Sequence, residues 1–351
     1  MRWYAFLLYP FALIYDLVTR LRNWFFDLGW LKSEPSPIPS IVVGNLSMGG
    51  TGKTPMVEFL IRKLLAAQTV ATLSRGYGRK TKGFLEANPG TSPAEIGDEP
   101  FQIYKKFGDK ISVFVGEDRV AALAKIAAKS TAPELIILDD AFQHRYVTGD
   151  LKILLTTYQR PFYTDFLVPM GRLRESRTGA KRADLIVVTK CPEELTSAEK
   201  TSIIRQVEAY SSSSTPVLFS RISYEKPIAL TDSKAFSPKI ILLTGLANDQ
   251  PLVNYVRGKY ELLEVLSYPD HHDYAAVDFD KVRAVVKQHA AKNPVVLTTE
   301  KDAVKVKSNA PTGFLEEIPI FVLPIVISFS PEDELALAEL IQQKVLKQDN
   351  I

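Results

Sequence analysis

From residue 40 onward, short apolar runs alternate with stretches of helical spacing. The runs cover residues 40–44, 70–74, 112–115, 135–138, 152–156 and 185–189, each of strand length. Such alternation predicts an α/β fold, a mostly parallel sheet wound with helices. A second set follows residue 217, with runs at 240–243, 262–266, 295–298 and 320–326. It closes in a helix predicted over about 331–347, where Leu335, Leu337, Leu340 and Ile341 recur at helical period and are expected to pack against this C-terminal domain. Polar and serine residues around 211–214 mark a seam. The chain therefore divides into an N-terminal segment 1–33, a core 34–215 and a smaller α/β domain 216–351.

The N-terminal segment has a different pattern. Between Trp3 and Val18 the only charged residue is Asp16, among many Trp, Tyr, Phe and Leu. A spanning helix wants about 20 apolar residues; this run is shorter, contains Pro10 and is followed by Arg20 and Arg22. At helical spacing Trp3, Leu7, Phe11, Ile14, Val18, Leu21, Phe25 and Leu28 fall near one face, with Arg2, Arg20 and Arg22 placed to reach lipid phosphates. The reading is a monotopic membrane anchor. An amphipathic helix packed on the protein's own core would show the same stripe. A cleaved signal peptide would need a small-residue cleavage site, which does not follow the run. Pro35, Pro37 and Pro39 then make residues 34–39 an extended linker.

Composition narrows the class. The 351 residues suffice for two α/β domains, and 46% hydrophobic with 24% charged residues is the balance of a globular protein. A net charge of +3 gives no nucleic-acid signature. One cysteine, Cys191, forms no internal disulfide and no cysteine-rich metal site, which fits a reducing compartment. No obligate protein partner is evident.

The strongest chemical signal is the run Ser40-Ile41-Val42-Val43-Gly44 leading into Asn45-Leu46-Ser47-Met48-Gly49-Gly50-Thr51-Gly52-Lys53-Thr54 and an amphipathic helix. A strand, a glycine-rich loop and a helix start make a phosphate cradle. Backbone N–H groups and the helix dipole hold phosphate, Lys53 neutralises β/γ oxygens, and Thr54 offers a hydroxyl to Mg²⁺. Asn45, Gly49, Gly50, Thr51, Gly52, Lys53 and Thr54 are the nucleotide-binding set. Ser47 stands where this pattern usually opens with Gly. The apolar run 135–138 ends in Asp139-Asp140, the expected metal and water-positioning station, with Asp139 favoured and Asp140 beside it.

Three polar clusters add to this. Ser74-Arg75-Gly76-Tyr77-Gly78-Arg79 puts Arg75, Tyr77 and Arg79 at a sheet edge, where ligands of nucleotide folds bind. Gly97-Asp98-Glu99-Pro100 sets two acids at a helix start. Asp270-His271-His272-Asp273 lacks the spacing of a metal site and fits general-base chemistry better, as phosphorylating an alcohol requires a proton acceptor.

In order and spacing these motifs, with Asp139-Asp140-Ala141-Phe142-Gln143-His144-Arg145 and Thr299-Glu300-Lys301-Asp302-Ala303-Val304-Lys305, resemble the tetraacyldisaccharide 4'-kinase family as far as about Lys305. The resemblance implies a P-loop kinase core in 34–215 and a C-terminal domain that contributes to the active-site cleft. It implies transfer of the γ-phosphate of ATP, with Mg²⁺, to the 4'-hydroxyl of a tetraacylated glucosamine disaccharide 1-phosphate. The product would be lipid IVA, made by a peripheral or monotopic enzyme on the cytoplasmic face of the bacterial inner membrane. It further implies Asp98 as base, paired with His271 or, failing that, His272. Glu99 and Asp139 would lie on or near the metal with Asp140, and Arg119, expected as an exposed strand-end residue, would steady the transition state. Gly171-Arg172-Leu173-Arg174-Glu175-Ser176-Arg177 resembles a family loop, with Ser176 where proline is frequent. Its basic run, Arg172 included, suits an anionic glycolipid. The alternative is a membrane-tethered P-loop switch, but Thr189-Lys190 is followed by Cys191-Pro192, without the acid that reads guanine. A metal-dependent hydrolase would leave the phosphate loop unexplained.

Overall fold

In a computed structural model that describes residues 5–230, 235–246, 248–270 and 272–346, the apolar runs become strands of two sheets. Two compact units result. One holds the chain up to Ile222 together with the residues from Ile327 onward, and the other is Ser223–Val326.

The first unit is built on nine strands: β2 (Ser40–Asn45), β3 (Val70–Ser74), β4 (Leu85–Glu86), β5 (Ser112–Val115), β6 (Leu135–Asp139), β8 (Leu151–Thr157), β9 (Leu185–Thr189), β10 (Val217–Tyr224) and β16 (Ile325–Phe329). Their order is β16-β10-β9-β8-β2-β6-β3-β5-β4, and every pairing from β10 to β5 is parallel. A two-residue pair, β1 (Glu34–Pro35) with β7 (Val147–Thr148), stands apart. A parallel sheet covered on both faces needs apolar residues at successive positions, which explains the unbroken runs. Ile41 and Val43 point into one cluster and Val42 into another, as do Ile137 and Leu138 of β6.

Helices α2 (Lys53–Leu64) and α4 (Asp98–Phe107) fill the first face with Met56, Val57, Leu60, Ile61, Ile103 and Phe107, while α5 (Arg119–Ala127) covers the second with Ala122, Leu123 and Ile126. The short α3 (Pro93–Ile96) precedes α4, and α6 (Ser197–Glu208) follows β9. Glu58 of α2 is buried yet satisfied by Lys106 Nζ at 2.6 Å, Gln102 Nε2 at 3.1 Å and Arg62 at 3.3 Å. A buried carboxylate left unpaired is strongly destabilising, so this knot fixes α4 against the helix that carries Lys53.

Helix α1 (Ala5–Asp27) lies on the first unit by one narrow side. Ala12 and Phe26 are buried. Tyr15 Oη donates to Arg174 O at 2.8 Å, Arg22 to Gln143 O at 3.2 Å and Asn23 Nδ2 to Glu175 Oε2 at 3.1 Å. Arg145 returns two bonds, to Asn23 O at 2.9 Å and Asp27 Oδ1 at 2.7 Å. Phe11, Ile14, Leu17, Val18, Leu21, Trp24 and Leu28 remain exposed. Among the described residues, none therefore covers this apolar face. Among the described residues no helix is long and apolar enough to cross a membrane.

The second unit carries β11 (Ile228–Ala229), β12 (Lys239–Thr244), β13 (Glu261–Ser267), β14 (Val295–Thr299) and β15 (Ile320–Leu323) in the order β11-β15-β14-β12-β13, parallel except for β11. Helices α7 (Gln250–Lys259), α8 (Ala276–Gln288), α9 (Glu300–Asn309) and α10 (Phe314–Glu317) accompany it. The α/β class expected from the sequence is thus present in both units.

The closing helix α11 (Pro331–Lys344) departs from expectation. It packs on the first unit, with Leu337, Ile341 and Val345 in the same cluster as Ile41 and Val57. Lys344 Nζ meets Asp184 Oδ1 at 2.6 Å, and the Asp333 carboxylate accepts from Phe219 N at 3.1 Å. The reason is β16, which joins the edge of the nine-stranded sheet immediately before α11 begins. Leu337→Ala should accordingly cost about 2–4 kcal/mol, read as a lower melting temperature with faster amide exchange in β2 and β8. Faster exchange confined to β12 and β14 would contradict this placement.

Candidate active site

The phosphate loop opens where β2 ends. Asn45 is fully buried, and its Nδ2 donates to Thr51 Oγ1 at 2.6 Å across the base of the loop. Gly49 and Gly52 have φ of +98° and +88°, the left-handed region that favours glycine. Gly52 caps α2, so Lys53 and Thr54 are the first two helical residues, where unpaired N–H groups and the helix dipole favour anions. From β9, Thr189 Oγ1 donates to Thr51 O at 2.8 Å. The Arg172 segment closes the other side: Met48 N donates to Arg172 O at 2.7 Å, and Arg172 Nη1 lies 4.0 Å from where a Gly49 side chain would begin.

The register of β2 with β6 sets Val43 beside Asp139, which brings the two acids to the loop. Asp140 has φ +49°, uncommon for any residue but glycine. Its carboxylate accepts from Arg174 at 2.8 and 3.2 Å and stands 3.7 Å from Lys53 Nζ. Arg174 Nη2, which meets Asp140 Oδ1, also donates to Asn45 Oδ1. Burial alone would raise the Asp140 pKa, but Arg174, Lys53 and Arg119 outweigh it and hold the group below its ordinary value. Asp139 is the opposite case. Burial, then the Glu99 charge, push it up to about 7 against the pull of Lys53. Asp139 Oδ1 is buried without a hydrogen-bond partner.

Two glycines bring the remaining motifs together. A side chain at Gly97 would strike Tyr77 O at 2.8 Å, and one at Gly76 would strike Ile96 O at 2.7 Å, with φ of +93° and +69°. The Arg75–Tyr77 turn is thus seated on the start of α4, where Asp98 and Glu99 form the first turn. Tyr77 is 86% exposed and Arg75 is exposed as well. Arg79 turns inward and donates to Glu117 Oε1 and Gly83 O, both at 2.6 Å.

Arg119 is not an exposed strand-end residue. It opens α5, is 3% exposed, and donates to Gly116 O at 3.1 Å and Glu117 O at 3.2 Å. Burial lowers its pKa to about 10 although Asp139 and Asp140 support the charge, so it remains a cation at neutral pH. His271 lies outside the described residues. His272 Nε2 is 2.9 Å from Asp278 Oδ2 and its ring stacks on Tyr268.

Several residues that serve this site escaped the sequence reading. Arg174 and Glu175 sat in a basic run read as a lipid-facing loop, yet Arg174 orders Asp140. Glu175 is buried, and both its oxygens accept from Arg182 Nη2 at 2.8 Å. Gln143 Nε2 ties Asn45 O at 2.7 Å to Glu175 Oε1 at 3.0 Å. His144 is held at a pKa of about 4 by burial and by Arg119, hence neutral. The only signal for these was a glutamate inside the basic run and the polar tail of the Asp139-Asp140 motif.

Among the described residues no three His, Cys, Asp or Glu form a metal cage. Mg²⁺ rarely needs one, since one or two carboxylates with phosphate oxygens and water complete its shell. The orphaned oxygen of Asp139, in the field of Glu99 and Lys53, fits that use.

The family described as tetraacyldisaccharide-1-P 4'-kinase matches residues 4–346. The chain belongs to this family. Tetraacyldisaccharide 4'-kinase of Flavobacterium psychrophilum is 43% identical over 319 residues, 89% of this chain and 90% of the relative. That of Phocaeicola vulgatus is 40% identical over 337 residues, 93% and 91% of the two chains. The crystal structure of LpxK from Aquifex aeolicus in complex with ATP shares 30% identity at a TM-score of 0.74, covering 97% of this chain and 99% of that one. As a tetraacyldisaccharide 4'-kinase family member the chain is an ATP-using phosphotransferase of lipid A biosynthesis with a lipid disaccharide phosphate as substrate. The nucleotide-switch alternative has no support among these relatives.

Asp139 yields a test on the metal-free protein. With its folded pKa near 7, above the unfolded value near 4, the native state keeps a proton that the unfolded chain has already lost. Stability therefore falls as pH rises through that window. Asp139→Asn should raise the melting temperature at pH 8 and do so less at pH 5, the difference being on the order of 1–3 kcal/mol. An effect independent of pH in calorimetry would contradict the ionisation described.

Proposed function

We propose that the side chains around the phosphate loop carry out phosphoryl transfer from ATP to the 4'-hydroxyl of the tetraacyldisaccharide 1-phosphate, with lipid IVA as product. The observation that carries the assignment of roles is the Lys53–Asp140–Arg174–Asn45 chain, which joins a phosphate cradle to two acids of opposite ionisation tendency. Lys53 and the N–H groups of residues 49–54 hold the phosphates. Thr54, Asp139 and Glu99, with Asp140 beside them, would hold Mg²⁺, which would supply positive charge against the phosphates. Asp98, with His271 as its partner on family grounds, accepts the proton of the 4'-hydroxyl. The 4'-oxygen then bonds to the γ-phosphorus, the bond to the β-phosphate oxygen breaks, and ADP leaves. Arg119, cationic and fixed in the field of both acids, offsets charge that builds up during transfer. Arg75, Tyr77 and Arg172 take the anionic substrate, and Arg79, tied to Glu117, keeps their turn in shape.

We further propose that α1 seats the enzyme peripherally on the cytoplasmic face of the inner membrane. Its exposed apolar side chains form one long uncovered face, and such faces mark interaction surfaces. The opposite side is bonded to Gln143, Arg174 and Glu175, so the helix is fixed to the frame of the phosphate loop. That arrangement keeps acyl chains in the bilayer while the sugar reaches the cradle.

Transfer of labelled phosphate from ATP to the lipid in detergent micelles tests the residue roles. Lys53→Ala, Asp98→Ala and His271→Ala should each lower kcat by about 10²–10⁴, and activity within a few-fold of wild type would remove that residue from its role. For the membrane reading, exchanging Ile14, Leu17 and Val18 for Asn together should weaken binding to anionic vesicles by about 100-fold or more while ATP affinity stays unchanged. Vesicle binding that survives the triple change would refute α1 as the contact surface.

A further inference from the structure

Lys190 is a cation at the phosphate loop that none of the roles above uses. It follows the last residue of β9 with φ +57°, an uncommon backbone for lysine. The neighbouring backbone holds it there: Tyr158 N donates to Thr189 O at 2.9 Å and Cys191 N to Ser220 O at 3.0 Å, while the Thr189 hydroxyl is fastened to Thr51 O. This turn sends the side chain over the loop, and Nζ lies 3.7 Å from where a side chain at Gly50 would begin. The residue as a whole is exposed, yet the protein around its ammonium lowers the pKa. No carboxylate, carbonyl or hydroxyl of the described residues bonds that ammonium.

Sheet order says which part of a nucleotide it meets. The strands run β9-β8-β2-β6, and the parallel strands end on one edge of the sheet, where ligands bind. Asp139 ends β6 and Asp140 follows it on one side of the phosphate loop, and Lys190 follows β9 on the other. A triphosphate whose metal-bearing end lies toward β6 turns its α-phosphate and nucleoside toward β9.

We propose that Lys190 is the nucleoside-end contact of ATP: its ammonium rests over Gly50, and its alkyl stem is the platform on which ribose and base lie. The proposal rests on the ATP reading above and adds to it the residue that seats the base. With the ammonium at the loop, the alkyl stem offers the ring an apolar surface without reading its edge, which agrees with the absence of an acid in Cys191-Pro192.

The test compares two ligands on the full chain, ATP and inorganic tripolyphosphate, each with Mg²⁺, by titration calorimetry. Lys190→Ala should weaken ATP about tenfold more than it weakens tripolyphosphate, since both ligands lose the ammonium over Gly50 and ATP alone loses the stem. KM for ATP should rise as its affinity falls, with kcat unchanged. Lys190→Asn, a residue that tolerates the left-handed backbone, should behave alike, so that misfolding of one variant does not decide the matter. Lys53→Ala should weaken both ligands. Equal loss of ATP and tripolyphosphate in the Lys190 variants, or no loss of either, overturns the proposal. A wild type that binds neither ligand refutes the ATP reading itself.

Discussion

The guanidinium of Arg174 carries the organisation of this site. One nitrogen pair spans the Asp140 carboxylate and reaches Asn45 Oδ1, whose amide in turn grips Thr51. Three segments far apart in sequence meet at that fork: the end of β2, the turn after β6, and the loop before β9. A planar, bidentate, permanently charged donor suits this task better than lysine, because each carboxylate oxygen is met in a fixed direction. The fork also offsets the left-handed backbone of Asp140, a conformation that needs surrounding contacts to persist.

Opposite ionisation of adjacent acids follows from the same arrangement. Asp140 faces Arg174 and Lys53 and stays charged. Asp139, one residue earlier, is deeply buried, feels Glu99 and leaves one oxygen without a partner. Two carboxylates separated by a single peptide thus hold protons at different pH, and the orphaned oxygen is a place where a cation would relieve both desolvation and repulsion.

The same loop joins chemistry to the surface helix. Arg174 O accepts from Tyr15, Glu175 from Asn23, and Gln143 O from Arg22. These three contacts are polar and stand beside the buried Ala12 and Phe26, so α1 is oriented while its broad apolar face stays exposed. An ordinary amphipathic helix does the reverse, burying its apolar stripe against the protein. Docking on one side leaves Phe11, Ile14, Leu17, Val18, Leu21, Trp24 and Leu28 exposed on the other.

Much of this was legible in the chain alone. Unbroken apolar runs gave a parallel sheet because residues facing both covered sides must be hydrophobic, and the loop 45–54 declared phosphate binding because glycine, lysine and a helix start each have a local job there. The places of Asp139, Asp98 and Glu99 at strand and helix ends were legible for the same reason, while the roles proposed for Asp98 and Glu99 rest on the family resemblance. What depends on distant contacts was not. Arg119 proved buried, Arg79 turned inward to Glu117, and Arg174 and Lys190 gained their places only when β6, β8 and β9 lined up beside β2. The closing helix went to the first unit because β16 pairs at the edge of its sheet, a choice that helical period does not encode. Sequence by itself determined which segments form elements and which side chains could do chemistry, since both follow from local spacing. Tertiary structure alone decided which charges face one another, since strand register and order are set by packing across the whole sheet.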